Sequence, residues 1–335
     1  FQTLANITSQ FTLTQVNLTG NTANSFGGAL YTCMHGWTQM TMNGVTATNN
    51  RAGGNGGFGN LEVRSLGNQS LDIFDSSFDR HSSGDGGVFV LSSFNPAPQI
   101  MNMVGCNVTN NSANRGALVW MIEYIGTSSQ WLTLTDCRLI GNRASGLGGA
   151  IVMYGIIGGT NVAQTFVMSR CWLESNSAGQ QGGVFSNGAF GQQQVTLVDS
   201  TWINNHAGTQ GGIGTLGVAP SLTLNDVWLV MKNNTIENNS APQNGGALNA
   251  ESANVTLQSN TWRNNSAGTQ GGHLYLTLKS SPSTLTVINE TFGHVGGGTE
   301  SMYVVVTVPA QAVVTDLFLE SSSVKHFALN GTAGN

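Results

Sequence analysis

Charged residues are scarce in this chain. Asp, Glu, Lys and Arg make up 8% of its 335 residues, against roughly 25% in an average soluble protein. The net charge is −5 and no stretch is rich in Lys or Arg, which argues against nucleic acid as a partner. Apolar residues nevertheless reach 39%, which is enough to form a core. We therefore expect a folded protein whose surface consists mainly of hydroxyl and amide groups.

The sequence also lacks a long apolar run. Its most apolar stretch, 302–319, is interrupted by Pro309, Gln311 and Asp316 and alternates as a strand does. No membrane span is therefore expected. The chain does not start with Met, and its first residues already carry repeat features instead of a signal-peptide pattern. We expect a processed product or a piece of a longer protein.

What the chain does contain is a repeat of about thirty residues. Each copy has an apolar residue, two further residues and an Asn, followed by a Gly pair or its remnant and a short apolar run. His81 takes the Asn position in the third copy. A period in this range signals a repeat architecture. The repeating asparagines are Asn21, Asn50, Asn111, Asn142, Asn176, Asn205, Asn239 and Asn265.

A second landmark is an apolar–polar–apolar triplet, usually with Thr in the middle. Its alternation and β-branched middle residue predict a strand with that middle residue facing outward. One copy, Leu222–Leu224, implies extra residues at 228–234, before the next Asn. The middle residues are Thr12, Thr41, Asp72, Asn102, Thr133, Val167, Thr196, Thr223, Thr256 and Thr286.

These features predict an all-β fold, a right-handed parallel β-helix (solenoid) of about 10–11 coils. A leucine-rich repeat would need a Leu framework, and a propeller blade needs a longer period. Residues 1–300 are expected to form the repeats, and 301–335 an irregular terminal coil of the same solenoid. Coils in such a fold stack about 4.8 Å apart, so the repeating Asn would form a ladder that satisfies buried turn backbone.

The Gly-Gly-Ala-Leu segments at 27–30 and 245–248 and the Gly-Gly-Ala-Ile segment at 148–151 carry a family resemblance. Together with the apolar-x-x-Asn phrases, they resemble the repeats of chlamydial polymorphic outer-membrane proteins. Related repeats occur in surface proteins of other microbes and algae. The resemblance covers nearly all of residues 10–297. It implies an extracellular or cell-surface β-helix with an adhesive or structural role.

Eleven Asn-x-Ser/Thr triplets are candidate glycosylation sites if the protein is secreted by a eukaryote. Three of them, at Asn110, Asn238 and Asn264, precede the repeating Asn by one residue. This shared register predicts that they lie on exposed turns. The acceptors are Asn6, Asn17, Asn68, Asn107, Asn110, Asn233, Asn238, Asn254, Asn264, Asn289 and Asn330.

Three of the four cysteines, Cys106, Cys137 and Cys171, lie five residues before a repeating Asn, and so would stack in adjacent coils. Their spacing is compatible with one disulfide, but also with a column of buried thiols that pack as small hydrophobes. The same column holds Ser76, Ser200, Asn234 and Asn260. No spacing typical of a zinc site or of a nucleophile and its base is present, so no cofactor is expected.

Charge is concentrated only in the third coil, around Asp72, Asp75, Asp79 and Asp85. These carboxylates could bind a cation or supply an acid/base pair, or simply form a solvated face. Among the tryptophans, Trp172, Trp202 and Trp262 lie at or next to the apolar position of the repeat and are expected in the core. The other tryptophans are candidate sugar-stacking platforms: Trp37, Trp120, Trp131 and Trp228.

The function that fits these observations is a non-catalytic extracellular scaffold or adhesin, glycosylated, and stacked end to end in a filament or built into a longer surface protein. Its expected partners are copies of itself or neighbouring coils, and glycans or cell-surface molecules. The alternative is a polysaccharide-binding or polysaccharide-degrading β-helix protein, which would need exposed aromatics on one face or a carboxylate groove.

Overall fold

The computed structural model is an all-β parallel solenoid. It describes residues 8–34, 37–64, 67–94, 97–124, 129–155, 163–188, 192–217, 227–251, 253–278, 283–296, 300–306, 310–319 and 327–331. Strands are the regular secondary structure of these ranges. Within the same ranges no helix is long and apolar enough to cross a membrane.

Each regular coil contributes up to four strands, which define four faces of the solenoid. The first-face strands are Thr8–Thr14, Trp37–Asn43, Gln69–Phe74, Gln99–Val104, Ser129–Thr135, Ala163–Ser169, Gln193–Val198, Val227–Lys232, Ala253–Gln258, Ser283–Phe292 and Ala310–Leu319. The second-face strands are Asn17–Thr19, Thr46–Thr48, Ser77–Asp79, Asn107–Thr109, Arg138–Ile140, Trp172–Glu174, Thr201–Ile203, Thr235–Glu237 and Thr261–Arg263. We number the coils from 1, beginning with the strand Thr8–Thr14.

The other two faces complete the coil. The third-face strands are Thr22–Ala23, Arg51–Ala52, Ser112–Ala113, Arg143–Ala144, Ser177–Ala178, His206–Ala207, Ser240–Ala241, Asn265–Ala267 and Val295–Gly296. The fourth-face strands are Leu30–Met34, Gly59–Val63, Phe89–Ser93, Val119–Glu123, Ile151–Gly155, Phe185–Gly188, Gly214–Leu216, Leu248–Glu251, Leu274–Leu278, Met302–Val306 and Phe327–Gly331.

Strands of successive coils pair in parallel without a shift in register. Thr133, for example, pairs with Asn102 of the preceding coil and with Val167 of the following coil. About nine turns of roughly thirty residues are regular, and in coil 10 the first two strands merge into Ser283–Phe292. This architecture confirms the predicted parallel β-solenoid.

The end of the chain continues the same sheets. Met302–Val306 pairs with Leu274–Leu278, and Ala310–Leu319 pairs with Ser283–Phe292. Phe327–Gly331 adds a last strand to the fourth face. The predicted division at residue 300 stays a prediction.

The core forms because strand side chains alternate between inside and outside. On the first face Met40 and Met42 are buried, while Thr41 between them is half-exposed. Aromatic rings fill the wider coils, and the Phe78 and Phe89 rings meet edge to face with centroids 5.1 Å apart. The outward placement predicted for the Thr row agrees with this alternation.

The Gly pair before the fourth face is needed for the tight approach of two coils. Gly148 has φ +56°, and a Cβ there would collide with the carbonyl oxygen of Ile151. A Cβ on Gly149 would collide with the carbonyl oxygen of Gly183 in the next coil. Glycine at these positions therefore lets the backbone turn and lets adjacent coils stack.

One expectation for the tryptophans is wrong. Trp202 and Trp262 are fully buried, as expected, but Trp172 is 38% exposed. In the strand Trp172–Glu174 the inward residue is Leu173. Because neighbours in a strand point to opposite sides, Trp172 faces solvent.

The predicted strand position in coil 8 is also wrong. Leu222, Thr223 and Leu224 lie outside the described residues, and the strand is Val227–Lys232. Val230 pairs with Thr196 and Thr256 and holds the outward position. The residues 228–232 are therefore part of the sheet, and the additional length of this repeat precedes them.

Candidate functional site

The repeating asparagines form a continuous hydrogen-bonded ladder inside the turn between the second and third faces. The Oδ1 atom of Asn142 accepts the backbone N–H of Asn111 at 3.2 Å and its Nδ2–H at 3.0 Å. The Nδ2 group of Asn142 donates to the Val108 carbonyl at 2.9 Å. Each rung thus satisfies backbone groups that burial would otherwise leave unpaired.

His81 is a rung of this ladder. Its Nδ1 atom accepts the backbone N–H of Asn50 at 3.1 Å, and its Nε2–H donates to the Ala47 carbonyl at 3.1 Å. The neutral ring supplies one acceptor and one donor, as an Asn amide does. Burial lowers the pKa of His81 to about 4, which keeps the ring neutral.

The ladder ends in coil 9. The Asn265 amide lies 2.9 Å from Nδ1 of the buried His273, and the next position is occupied by Val295, which pairs with Asn265. A valine has no side-chain acceptor, so the chain of amides stops here.

A second buried column lies at the preceding turn, between the first and second faces. It begins with Ser76, whose Oγ accepts the Val45 N–H at 3.0 Å. In its later part, Asn234 donates from its backbone N–H and its Nδ2 to Oδ1 of Asn260, both at 2.9 Å. It ends at Glu290, whose Oε1 accepts the same pair of donors from Asn260.

Cys106, Cys137 and Cys171 occupy the middle of this second column as free, buried thiols. Each sulfur lies near backbone carbonyls, as in Cys137, whose Sγ is 3.5 Å from the Met103 oxygen and 3.3 Å from the Thr135 oxygen. Contact with the Cys137 thiol, and then burial, raise the pKa of Cys106 and of Cys171. These two thiols are therefore poor nucleophiles.

Glu290 is a buried carboxyl that the sequence analysis did not identify. Besides the bonds from Asn260, its Oε2 accepts the Trp262 indole N–H at 2.6 Å. Burial raises its pKa to about 7. Its position, five residues before Val295, was the available signal, because all members of the column lie five residues before the ladder position.

A third polar column was also missed. The first inward residue of five successive first-face strands is a buried glutamine. Gln164 donates to Gln130 at 2.8 Å and Gln130 donates to Gln99 at 3.0 Å. The signal was a Gln two residues before each apolar triplet. The column consists of Gln69, Gln99, Gln130, Gln164 and Gln193.

Seven glycosylation candidates are exposed, and all seven lie on the second face or on its two flanking turns. Asn17 and Asn107 begin second-face strands. The others occupy turn positions with φ between +51° and +56°: Asn110, Asn233, Asn238, Asn264 and Asn289. In the doublets at 110–111, 233–234, 238–239 and 264–265, the first Asn is exposed and the second is buried in a column.

The remaining glycosylation candidates are less exposed or lie outside the described residues. Asn68 and Asn254 are half-buried on the side of the first face, and Oδ1 of Asn254 accepts the Thr284 N–H at 3.0 Å. Asn6 and the side chain of Asn330 lie outside the described residues. The candidates thus fall into an exposed group around the second face and a less accessible group elsewhere.

The structure does not bring the acidic candidates Asp72, Asp75, Asp79 and Asp85 together. Asp72 is on the first face, where Asn102 donates to it at 2.7 Å, and Asp75 is in the following turn with φ +45°. Asp79 is on the second face, and Asp85 precedes the fourth. No group of three His, Cys, Asp or Glu residues in the described ranges could hold a metal ion.

Two of these carboxylates form ion pairs with arginines. Asp85 accepts two hydrogen bonds from Arg115, at 2.9 and 2.8 Å. Asp79 pairs with Arg80 at 2.7 Å, and hydrogen bonds from Thr109 and Asn110, together with Arg80, outweigh its burial and lower its pKa. These contacts are what a structural role would require.

The candidate sugar platforms are also dispersed. Trp120 is only 3% exposed, because the Arg115 guanidinium covers its ring at 4.3 Å and a small apolar cluster with Val90, Ile122 and Val152 surrounds it. Trp37 is 47% exposed near the first coil. Trp131 and Trp228 are half-buried in the same outward row of the first face, three coils apart.

The comparisons with known proteins identify no relative. No protein-family model, no curated protein and no solved structure matches the chain.

Proposed function

We propose that the chain is a non-catalytic extracellular or cell-surface scaffold that carries N-linked glycans along its second face. The observation that carries this proposal is the position of the acceptors. Seven exposed acceptors share one face and its turns, and four of them directly precede an asparagine that is buried in one of the two columns. Glycans attached there would project outward without disturbing either column.

The scaffold role rests on where the polar groups of the coils are used. The repeating Asn, His81, the thiols and Glu290 are buried and engaged with neighbouring coils. Side chains committed to satisfying backbone groups hold the coils in register. This leaves the outer faces, rather than a buried centre, for contacts with partners.

Association through the ends of the solenoid is part of the proposal, either end to end or with neighbouring coils of a longer chain. In the first described coil the inward-facing Phe11 is 40% exposed, whereas its register partner Met40 in coil 2 is fully buried. An exposed core residue, on a strand whose outer edge has no partner among the described residues, favours pairing with another coil.

Surface labelling tests the proposal. An antibody against the second-face turns should label intact, unpermeabilised cells of the natural source, and the signal should increase after enzymatic removal of N-glycans. Labelling that appears only after permeabilisation would count against it.

A further inference from the structure

The glycosylation candidates leave a long interval in the middle of the solenoid. No Asn-x-Ser/Thr triplet occurs between Asn110 and Asn233. Coils 5, 6 and 7 therefore have no acceptor, while coil 4 has Asn107 and Asn110 and coil 8 has Asn233 and Asn238. We call the second and third faces of coils 5–7 the bare window; its strands are Arg138–Ile140, Trp172–Glu174, Thr201–Ile203, Arg143–Ala144, Ser177–Ala178 and His206–Ala207.

Trp172 lies at the centre of the bare window. It is 38% exposed, and its indole N–H donates to Oε2 of Glu174 at 2.9 Å. This bond holds the ring in place on the outer surface. A large aromatic side chain that faces solvent in mid-solenoid is available for contacts, and such side chains are enriched at binding surfaces.

Two arginine side chains belong to the same window as the Trp172 ring. Arg138 pairs in register with Trp172, and Arg143 follows on the third face of the same coil. Both side chains are exposed, and neither has an ion pair in the described part of the chain. With Glu174 as the one carboxylate of the six window strands, these two arginines leave the window net positive in a protein whose net charge is −5, which favours an anionic ligand.

The third face of the bare window is concave. A depression of about 460 Å³ is lined by Arg143, His206 and hydroxyl groups of Ser112, Ser145 and Ser177. Small residues form its floor, with Gly179 and Gly208 among them. The depression is shallow and its exposed lining is mostly apolar, with Arg143 as its cationic group.

We infer that the bare window is the site where this scaffold binds an anionic polysaccharide. The Trp172 ring would stack on a sugar, and Arg138 and Arg143 would pair with its carboxylate or sulfate groups. The inference rests on the proposed function in one respect, since glycans mark the two edges of the window; the charge and the aromatic ring do not depend on them.

A polysaccharide fits this surface better than an acidic protein does. Equivalent positions of successive coils recur about every 4.8 Å along the solenoid, so a linear polymer lying along the second face would meet Arg138, Trp172 and Thr201 in turn. The outward residues of the window strands are mostly charged or polar, and besides Trp172 the apolar ones are the half-buried Ile140 and Ile203. A stable protein partner would instead need a broader apolar patch than these side chains provide.

Binding measured with the full chain tests the inference. Polygalacturonate and dextran sulfate serve as carboxylate and sulfate probes, with neutral dextran and polyglutamate as comparisons. The double substitution Arg138→Gln with Arg143→Gln should weaken binding of at least one anionic glycan by about tenfold or more, as should Trp172→Ala. Arg51→Gln, on an exposed residue of the same third-face row in coil 2, is the matched control and should change binding less than about twofold.

A new glycan in the window gives an independent readout. Asn204 is exposed with φ +56° and corresponds to Asn110 and Asn238. His206→Thr creates an acceptor triplet at Asn204, in a row where other coils already have Ser112 and Ser240. The glycosylated variant should lose binding, whereas His206→Thr combined with Asn204→Gly, which has no acceptor triplet, should retain more of it.

The outcomes separate this inference from the proposed function. Unchanged binding of the double arginine variant, or binding of polyglutamate in preference to both anionic glycans, would overturn the inference. Absence of glycans on the natural protein would instead count against the proposed function, while the arginine variants would still report on the bare window.

Discussion

The imidazole of His81 takes the place of an asparagine amide: its Nδ1 accepts the backbone N–H of Asn50 at 3.1 Å. On the other side, Oδ1 of Asn111 accepts the backbone N–H of His81 at 2.8 Å. The ladder therefore passes through coil 3 without interruption, although the residue type changes. This substitution makes one rung sensitive to protons.

We expect acid to lower the stability of the protein through His81. Because burial lowers the pKa of His81 to about 4, below its usual value of about 6.5, the unfolded chain binds the proton more readily than the folded chain. Stability from this residue is complete above pH 6.5 and is lost as the pH falls toward 4, by roughly 3 kcal/mol. His81→Asn should remove this contribution, so that in urea titrations at several pH values the variant becomes less stable as the pH rises from about 4.5 to 6.5, because only the opposing contribution of Glu290 remains. An unchanged pH dependence in that variant would contradict the assignment.

Glu290 should show the opposite behaviour. Its pKa is raised to about 7 by burial, so its contribution is complete below about pH 4.5 and is lost as the pH rises toward 7, again by roughly 3 kcal/mol. In the wild type the effects of Glu290 and His81 largely offset each other between pH 4.5 and 6.5. The variant Glu290→Gln should therefore become more stable as the pH rises through this interval. A slope equal to that of the wild type would show that Glu290 does not titrate there.

Substitution of the adjacent residues Asn204 and Asn205 should have very different effects on stability. Asn205→Ala leaves two donors of Asn176 without their acceptor and the Leu173 carbonyl without its donor, which should cost about 3 kcal/mol or more. The matched control is Asn204→Gly, at an exposed turn residue with φ +56°, which should cost less than about 0.5 kcal/mol. Equal losses in chemical denaturation would mean that the ladder does not carry the stability.

The number of cysteine thiols that a reagent can modify follows from their burial. In the native protein only Cys33 is exposed, while Cys106, Cys137 and Cys171 are buried and free. A thiol reagent should therefore modify one cysteine rapidly in buffer and four in denaturant without reductant. Two reactive thiols in denaturant would instead indicate a disulfide in the column.

The sequence predicts the repeat because every coil has to bury apolar side chains and satisfy the backbone groups of the same turns. The Asn position, the Gly pair and the apolar triplet are short patterns whose spacing fixes the coil, and the stacked strands follow from it. The three cysteines and Ser76, Ser200, Asn234 and Asn260 are likewise found in one column.

The errors arise where a short pattern has two possible registers. Leu222–Leu224 matches the triplet as well as Leu229–Met231 does, and only the pairing of Val230 with Thr196 and Thr256 separates them. The direction of Trp172 depends on which residue of a three-residue strand points inward. The bare window itself depends on exposure and unpaired charge, which are tertiary properties.

We propose above that the exposed acceptors of the second face and its flanking turns carry N-linked glycans on an extracellular scaffold. Intact mass of the natural protein before and after N-glycan removal, followed by mapping of the modified peptides, tests it most directly. We predict a mass loss on deglycosylation, with occupied sites among Asn17, Asn107, Asn110, Asn233, Asn238, Asn264 and Asn289 and with Asn68 and Asn254 largely unmodified. A natural protein whose mass is unchanged by the treatment would contradict the proposal.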